Sequence, residues 1–235
     1  MKQLRFAQII ILIIFLINST FILAQNTSNG MVRRQNTTQN NRNNGTKQAK
    51  SAWDRKNYQT ITHKNFRNQT VFNKSIDTEN MDFPLINAAI FYVTNEIRSK
   101  NNLTPLEYAP ELEIMAFHHA KAMLEQGFFS HQNPKTSNRR TTSDRAKLAG
   151  IANPAIAENI AMKGGFGEDT YLKLAESFLE QWMSSKGHRE NILSTSANAL
   201  GCGLMLRGDS VYAVQCFQWF KKIQNSGKAI DKLPE

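Results

Sequence analysis

The chain has 235 residues, 40% of them hydrophobic, and a formal net charge of +10 at pH 7. This length and composition fit one or two ordinary globular domains. The charge is uneven, because residues 25–80 carry 10 basic and 3 acidic side chains whereas residues 81–235 carry 17 and 16. Nearly all the excess basic charge therefore lies outside the predicted domain, which argues against a specific nucleic-acid partner.

The first 24 residues have the pattern of a secretory signal peptide. Lys2 and Arg5 precede an apolar run from Phe6 to Ile17, and a second apolar run ends at Ala24. This pattern predicts export with cleavage after Ala24, to a secreted, periplasmic or cell-surface location. An uncleaved N-terminal anchor is the alternative, because the apolar stretch is nearly long enough to cross a bilayer.

Residues 25–80 are rich in Asn, Gln, Thr, Lys and Arg, and their apolar side chains form no periodic face. Such a segment buries too little surface to offset the entropy lost on ordering, which predicts a disordered basic linker. In an exported protein it can meet an anionic surface. A solvated spacer without a specific partner is the simpler interpretation.

Apolar residues recur at helical spacing in four segments after residue 80, which predicts four helices. Their expected starts are Pro84, Pro110, Ser143 and the vicinity of Thr170. Gly127 and Gly150 are expected to end the second and third helices. His119 lies on the apolar side of the second helix, where a hydrogen-bonded core histidine is the expected role.

Two apolar runs near the C-terminus, residues 200–206 and 211–217, flank a Gly-Asp turn and predict a β-hairpin. If the loop is Gly208–Ser210, Cys202 lies opposite Cys216, and the two can form a disulfide in an oxidising compartment. Two reduced thiols that fill buried sheet positions are an equal alternative.

A further strand around residues 159–162 is needed for a stable sheet. Together with the helices and the hairpin, it predicts an α+β domain in which helices cover a small, mainly antiparallel sheet.

Four motifs follow one another along the predicted domain. They are Phe128-Phe-Ser-His131, Ala157-Glu158-Asn-Ile160, Trp182-Met-Ser-Ser-Lys-Gly-His188 and Tyr212-Ala-Val-Gln-Cys-Phe217. Their order and spacing resemble the CAP superfamily of cysteine-rich secretory, antigen-five and pathogenesis-related proteins, and in particular its SCP-like bacterial branch with few cysteines. The resemblance implies an α-β-α sandwich over residues 81–222, followed by a C-terminal tail, residues 223–235.

The resemblance also implies a central cleft lined by two histidines and two glutamates. His131, Glu158 and His188 match three of these positions, and Ser185 stands where the other glutamate is expected. Two imidazoles and one carboxylate are a reasonable zinc ligand set that leaves one position for water, so a divalent metal is the cofactor to expect if there is one.

Three functions are compatible with this reading. The first is a non-enzymatic exported protein whose cleft or surface binds a lipid, a glycan or another envelope component, as the resemblance implies. The second is a zinc-dependent hydrolase, such as a protease, that uses His131, Glu158 and His188. The third is a protein–protein interaction module with a vestigial cleft. We favour the first, because the acid/base set is incomplete and no nucleophile can be identified. The sequence indicates no oligomeric state.

Overall fold

The structure is a computed structural model that describes residues 50–234. The predicted signal peptide, residues 1–24, and the first part of the predicted linker, residues 25–49, lie outside the described residues. Between residues 50 and 234, no helix combines the length and the apolar character needed to cross a bilayer.

The described part of the chain forms helical layers on both faces of one four-stranded sheet. The elements are α1 Phe83–Lys100, β1 Glu107–Tyr108, α2 Pro110–Gln126, α3 Thr142–Leu148, β2 Ile156–Lys163, α4 Tyr171–Ser184, α5 Lys186–Ile192, β3 Ala197–Arg207 and β4 Ser210–Trp219. The strand order is β1-β3-β4-β2, and only the short pairing of β1 with β3 is parallel. One core lies between the sheet and α1 with α4, and a second lies between the sheet and α2 with α3. The predicted α+β sandwich is confirmed.

The helix signals lie where the sequence predicts them. Pro84 and Pro110 occupy the first turns of α1 and α2, Gly127 ends α2 at φ 67°, and Thr170 caps α4. The cap of α3 differs, since Thr141 rather than Ser143 accepts the backbone N–H of Asp144 and forms a capping box with it. The box satisfies two backbone donors that would otherwise have no partner, which explains the earlier start.

The hairpin turn is one residue shorter than the sequence suggests. Its loop is Gly208-Asp209, without Ser210, and the strand register is therefore shifted by one residue. Because side chains alternate between the faces of a sheet, the shift places the two cysteines on opposite faces. Cys202 packs in the core with α1 and α4, and Cys216 packs in the core with α2 and α3. Both thiols are buried and free, which is the reduced one of the two alternatives that the sequence left open.

Residues 50–80, which we call the strap, differ from the predicted disordered linker over residues 25–80. The strap contains three short 3-10 helices, Arg55–Gln59, Phe66–Asn68 and Thr70–Asn73. Trp53, Phe66 and Phe72 are at most 4% exposed and belong to the core. These large rings pack into the core one at a time and bury enough apolar surface to order the strap, although their spacing follows no helical or strand period.

An ion pair between a partly exposed arginine and a buried glutamate also holds the strap. Arg55 of the strap donates from Nη2 and Nε to Glu113 of α2, at 2.8 and 3.2 Å. The Glu113 carboxylate also accepts from the Tyr108 hydroxyl and, at 3.4 Å, from Asn87 Nδ2. This bidentate pair fixes the strap against α2, because two parallel N–H···O bonds restrict both partners.

α2 lies in direct backbone contact with β3. A Cβ atom at Gly201 would overlap the backbone nitrogen of Glu113, and one at Gly203 would overlap that of Phe117. The two glycines therefore permit an approach that any side chain would prevent. This close approach fixes the distance between the sheet and α2, and therefore the distance between the sheet and His119.

The C-terminal tail, described up to Pro234, returns to the domain. Asn225 forms a bridge with Ile151. Asp231 is 5% exposed and accepts a hydrogen bond from Arg139 Nη1 at 2.6 Å. These contacts place the tail beside α3 and the loop before it.

Candidate functional site

The site is centred on Glu158, in the edge strand β2. Glu158 pairs with Cys216 of β4, so both side chains lie on the face of the sheet that α2 and α3 cover. The glutamate side chain is 2% exposed. A carboxylate removed from water in this way requires several hydrogen-bond partners.

Three side chains from three different segments surround the Glu158 carboxylate. Arg145 Nη2 donates to Oε2 at 2.6 Å, and His131 Nδ1 lies 3.0 Å from Oε1. His119 Nε2 lies 3.8 Å from the same Oε1. Burial acts to raise the pKa of Glu158, but His131, Arg145 and His119 outweigh it and hold the pKa below its ordinary value. Glu158 is therefore ionised at neutral pH, and His131 Nδ1 carries the proton in their hydrogen bond.

Arg145 is a member of the site that the sequence did not reveal. It lies in α3, is 1% exposed, and also donates from Nη2 to the backbone carbonyl of His131 at 3.1 Å. It thus joins Glu158 to the segment that carries His131. From the sequence one can infer only that a buried Glu158 must have a cationic partner. Nothing in the sequence selects Arg145 from the other basic residues.

His119 is hydrogen-bonded in the core, as its helical position suggested. Its ring is 0% exposed, and Nε2 lies 3.0 Å from the carbonyl oxygen of Ser130, so the neutral ring carries its proton on Nε2. Burial lowers the pKa of His119 to about 4, with a further lowering by Arg145, despite the opposing effect of Glu158. Nδ1 has no partner within residues 50–234. His119 is therefore a neutral neighbour of Glu158.

His188 lies on the other side of β2, in the short helix α5. It is half-buried, and burial together with nearby His131 lowers its pKa. Ser185, where the resemblance implied a glutamate, lies at the junction of α4 and α5 and donates its backbone N–H to Trp182 O. The structure thus hydrogen-bonds His131 to Glu158, and it places His188 in the helical layer across the edge strand.

A buried polar network positions α5. Asn159 Nδ2 donates to the backbone carbonyl of His188 at 3.1 Å, and Asn191 Nδ2 donates to Asn159 Oδ1 at 2.8 Å. Asn159 also donates to Gln215 of β4, which donates to Thr94 of α1. The network runs through β2 and β4 from α5 to α1, so the sheet and the helical layer on that face together fix the position of α5.

The arrangement does not fit the expected zinc site. Oε1 of Glu158 accepts from His131 and Oε2 accepts from Arg145, so Glu158 would have to give up or share one of these hydrogen bonds to ligate a metal. In the part of the chain that the structure describes, no three His, Cys, Asp or Glu side chains are placed to hold a metal together. Zinc stays a prediction that requires Glu158 to change partners.

The accessible part of the site combines a polar ring with apolar surface. The His131 side chain is 52% exposed. Phe129, two residues earlier, is 48% exposed, and Met162 of β2 is 47% exposed. The Phe129 ring lies 6.3 Å from that of Tyr212, which pairs with Met162 across the sheet. This surface can bind a molecule that has both a polar and an apolar part.

Comparison with known proteins gives matches in sequence and in structure. The family model "CAP: Cysteine-rich secretory protein family" matches residues 91–217. The uncharacterized protein YkwD of Bacillus subtilis (strain 168) is 33% identical over 116 residues, which cover 49% of this chain and 41% of YkwD. The uncharacterized membrane protein YlbC of the same organism is 30% identical over 128 residues, which cover 54% of this chain and 33% of YlbC. The matches thus span less than half the length of either relative.

Two solved structures are similar. An extracellular protein containing an SCP domain from Bacillus anthracis str. Ames is 26% identical, with a TM-score of 0.49, over 60% of this chain and 42% of that chain. An outer surface protein from Borrelia burgdorferi is 20% identical, with a TM-score of 0.48, over 63% of this chain and 99% of that chain.

The match to the family model includes His131, Glu158 and His188, and it excludes the strap. It covers more than half of the sequence. The chain belongs to the CAP family of cysteine-rich secretory proteins.

Proposed function

We propose that the chain is an exported CAP-domain protein that binds a component of the cell envelope or its surroundings and catalyses no reaction on it. The proposed binding surface is formed by His131, Phe129 and Met162, and we call it the His131 cleft. The observation that supports this proposal is the state of Glu158. Both of its carboxylate oxygens are committed, one to His131 and one to Arg145. The glutamate therefore orients a histidine ring and balances a buried charge, instead of acting as a free base.

The exposed side chains favour a lipid-like ligand over a purely polar glycan. Phe129 and Met162 present apolar surface, and His131 offers a polar ring two residues from Phe129. Large apolar side chains exposed beside a polar group are typical of surfaces that bind partly apolar molecules. The acyl part of an amphiphile would contact Phe129 and Met162, and its head group would hydrogen-bond to His131.

Export is supported by the order of charged, apolar and small residues in the first 24 positions. An exported binding protein would meet the lipids and glycans of an envelope, so a lipid and a glycan are the two probes to test.

Thermal unfolding of the full-length chain tests the proposal. Palmitate below its micelle concentration is the lipid probe, and a soluble peptidoglycan fragment is the glycan probe. Because a ligand that binds only the folded state stabilises it by mass action, palmitate at about 100 times its Kd should add about 2.7 kcal/mol to the free energy of unfolding. Phe129→Ser and His131→Ala should abolish the shift.

The matched control is Phe220→Ser, since Phe220 is 72% exposed and follows the end of β4 remote from Tyr212. It should keep the palmitate shift. A shift produced by the peptidoglycan fragment alone would replace the lipid with a glycan. No shift with either probe would contradict the binding proposal and favour a protein–protein interaction module.

Calorimetric titration with Zn²⁺ at neutral pH tests the hydrolase alternative. We expect no stoichiometric uptake, because Arg145 occupies Glu158 Oε2. Uptake of one zinc that is lost in both His131→Ala and His188→Ala would restore the metal site, and cleavage of a substrate that stops with a chelator would then restore the hydrolase.

A further inference from the structure

Part of the strap lines an open cavity that does not include His131 or Glu158. The cavity has a volume of about 780 Å³ and lies between the strap, α1 and the segment that leads into α2. Strap residues 55–64 supply much of its wall, and the matched family region begins only at residue 91. One side of the cavity is therefore supplied by a part of the chain outside the family match and the other side by residues within it. Its volume is within the range of small-molecule sites.

Aromatic rings dominate the apolar wall. The Tyr58 ring stacks on that of Tyr108, with centroids 3.8 Å apart, and meets that of Phe91 edge-on at 5.0 Å. Tyr92 also lines the cavity, and its buried hydroxyl has no hydrogen-bond partner within residues 50–234. Aromatic pairs gain from specific edge and face contacts beyond the burial of area, so this wall favours a ring over a flexible chain.

The charged side chains of the wall favour an anion. Arg55 pairs with Glu113 through Nε and Nη2, which leaves its third nitrogen outside the pair, and its side chain is 38% exposed. Glu107 is the acidic residue in this wall, and Lys222 neutralises it at 3.0 Å. Lys64 has no ion-pair partner in the described part of the chain. The wall thus has an excess of positive charge.

We infer that the strap cavity binds a small aromatic anion, a planar ring system that carries a carboxylate or a sulfonate. The rings of Tyr58, Phe91 and Tyr108 contact the planar part, and Lys64 with the free edge of Arg55 attracts the anionic group. This site does not depend on the His131 cleft, so it stands or falls separately from the proposed function.

The probe is 1-anilinonaphthalene-8-sulfonate, an aromatic sulfonate whose fluorescence rises in an apolar site. Titrated into the full-length chain, it should give saturable binding with one site. Its uncharged analogue N-phenyl-1-naphthylamine should bind more weakly, and methanesulfonate, which has no ring, should not compete. These results together would show that binding requires both the aromatic ring and the negative charge.

Two pairs of exposed strap residues give matched variants. Lys64 and Gln59 line the cavity, whereas Lys56 and Thr60 do not. Lys64→Glu should weaken binding of the sulfonate roughly tenfold, because the charge near the anion is reversed. Gln59→Trp should also weaken it at least about tenfold by filling the cavity. Lys56→Glu and Thr60→Trp should stay within about twofold of the parent chain, since neither residue touches the cavity.

The melting temperature of each variant, which should match that of the parent chain, confirms folding. Equal effects of Lys64→Glu and Lys56→Glu would show a general charge effect and overturn the site. Unchanged binding in Gln59→Trp would overturn the location. Stronger displacement of the probe by palmitate than by naphthalene-2-sulfonate would overturn the aromatic ligand class. Loss of binding in His131→Ala would show that the probe occupies the other cleft.

Discussion

Two buried glutamates of this domain have the same chemistry in different surroundings. Glu158 pairs with Arg145 at 2.6 Å, and Glu113 pairs with Arg55 at 2.8 Å. Both glutamates and Arg145 have side chains 2% exposed, but that of Arg55 is 38% exposed. A charge that keeps contact with water can be rehydrated when its partner is lost, whereas a fully enclosed one cannot. The Glu158 pair is therefore part of the core, and the Glu113 pair is a surface attachment for the strap.

The comparison predicts its largest effect at Arg145. Arg145→Ala leaves Glu158 with His131 and the neutral His119 as neighbours. It should lower the free energy of unfolding by about 4 kcal/mol, as expected when one member of a buried ion pair is removed. Urea unfolding at pH 7 measures this change.

The double variant Arg145→Ala/Glu158→Ala is the control for Arg145→Ala. It should recover part of the loss, because no buried charge is left without a partner. A double variant that is less stable by the sum of the two single losses would show that the two residues act independently.

The surroundings of Glu158, unlike those of Glu113, should also make the stability of the protein depend on pH. His119 has a pKa of about 4 in the folded chain and an ordinary value of 6.5. Between these values the unfolded chain binds more protons, so the free energy of unfolding should fall as the pH falls from about 6.5 to 4, by up to about 3 kcal/mol. The depressed pKa of Glu158 acts at lower pH, since its stabilisation is lost only as the pH falls through its folded value.

Urea unfolding from pH 7.5 to 4.5 measures this slope in the parent chain and in His119→Gln. The variant should show a flatter dependence. His188→Gln is the control, because His188 is half-buried and should contribute less to the slope. Equal slopes in the parent chain and in His119→Gln would contradict the assignment of the effect to His119.

The smallest of the three effects is expected at Arg55. Arg55→Ala leaves Glu113 with Tyr108 and Asn87 as donors, and water can reach the vacated position. The free energy of unfolding should fall by about 1–2 kcal/mol, less than for Arg145. Limited proteolysis should cut within residues 50–80 faster than in the parent chain. A loss as large as that of Arg145→Ala would remove the distinction between the two pairs.

The sequence predicted the elements that repeat with a period and missed those that do not. The stripes of α1, α2 and α4 span three or more turns, so the periodic signal is strong. The rings of Trp53, Phe66 and Phe72 are separated by unequal intervals and pack one at a time, which leaves no periodic signal in the strap. The hairpin was predicted, but a difference of one loop residue reversed the faces of Cys202 and Cys216.

The site was predictable in part. Motifs identified His131 and Glu158, and the structure joins them by a hydrogen bond. Arg145 and His119 could not be identified as their neighbours, because α2, α3 and β2 meet only through tertiary packing. The same packing forms the ion pair between Glu158 and Arg145, which makes Glu158 less available as a zinc ligand.

Gly203 has no side chain, and this matters for the evolution and redesign of the protein. Any residue larger than glycine there would drive α2 outward, and His119 with the carbonyl of Ser130 would move with it. The electrostatic balance around Glu158 is thus tuned by a position two strands away that carries no functional group. Variation that alters the surroundings of Glu158 can therefore arise from inter-layer spacing alone, and libraries limited to residues that contact Glu158 would overlook it.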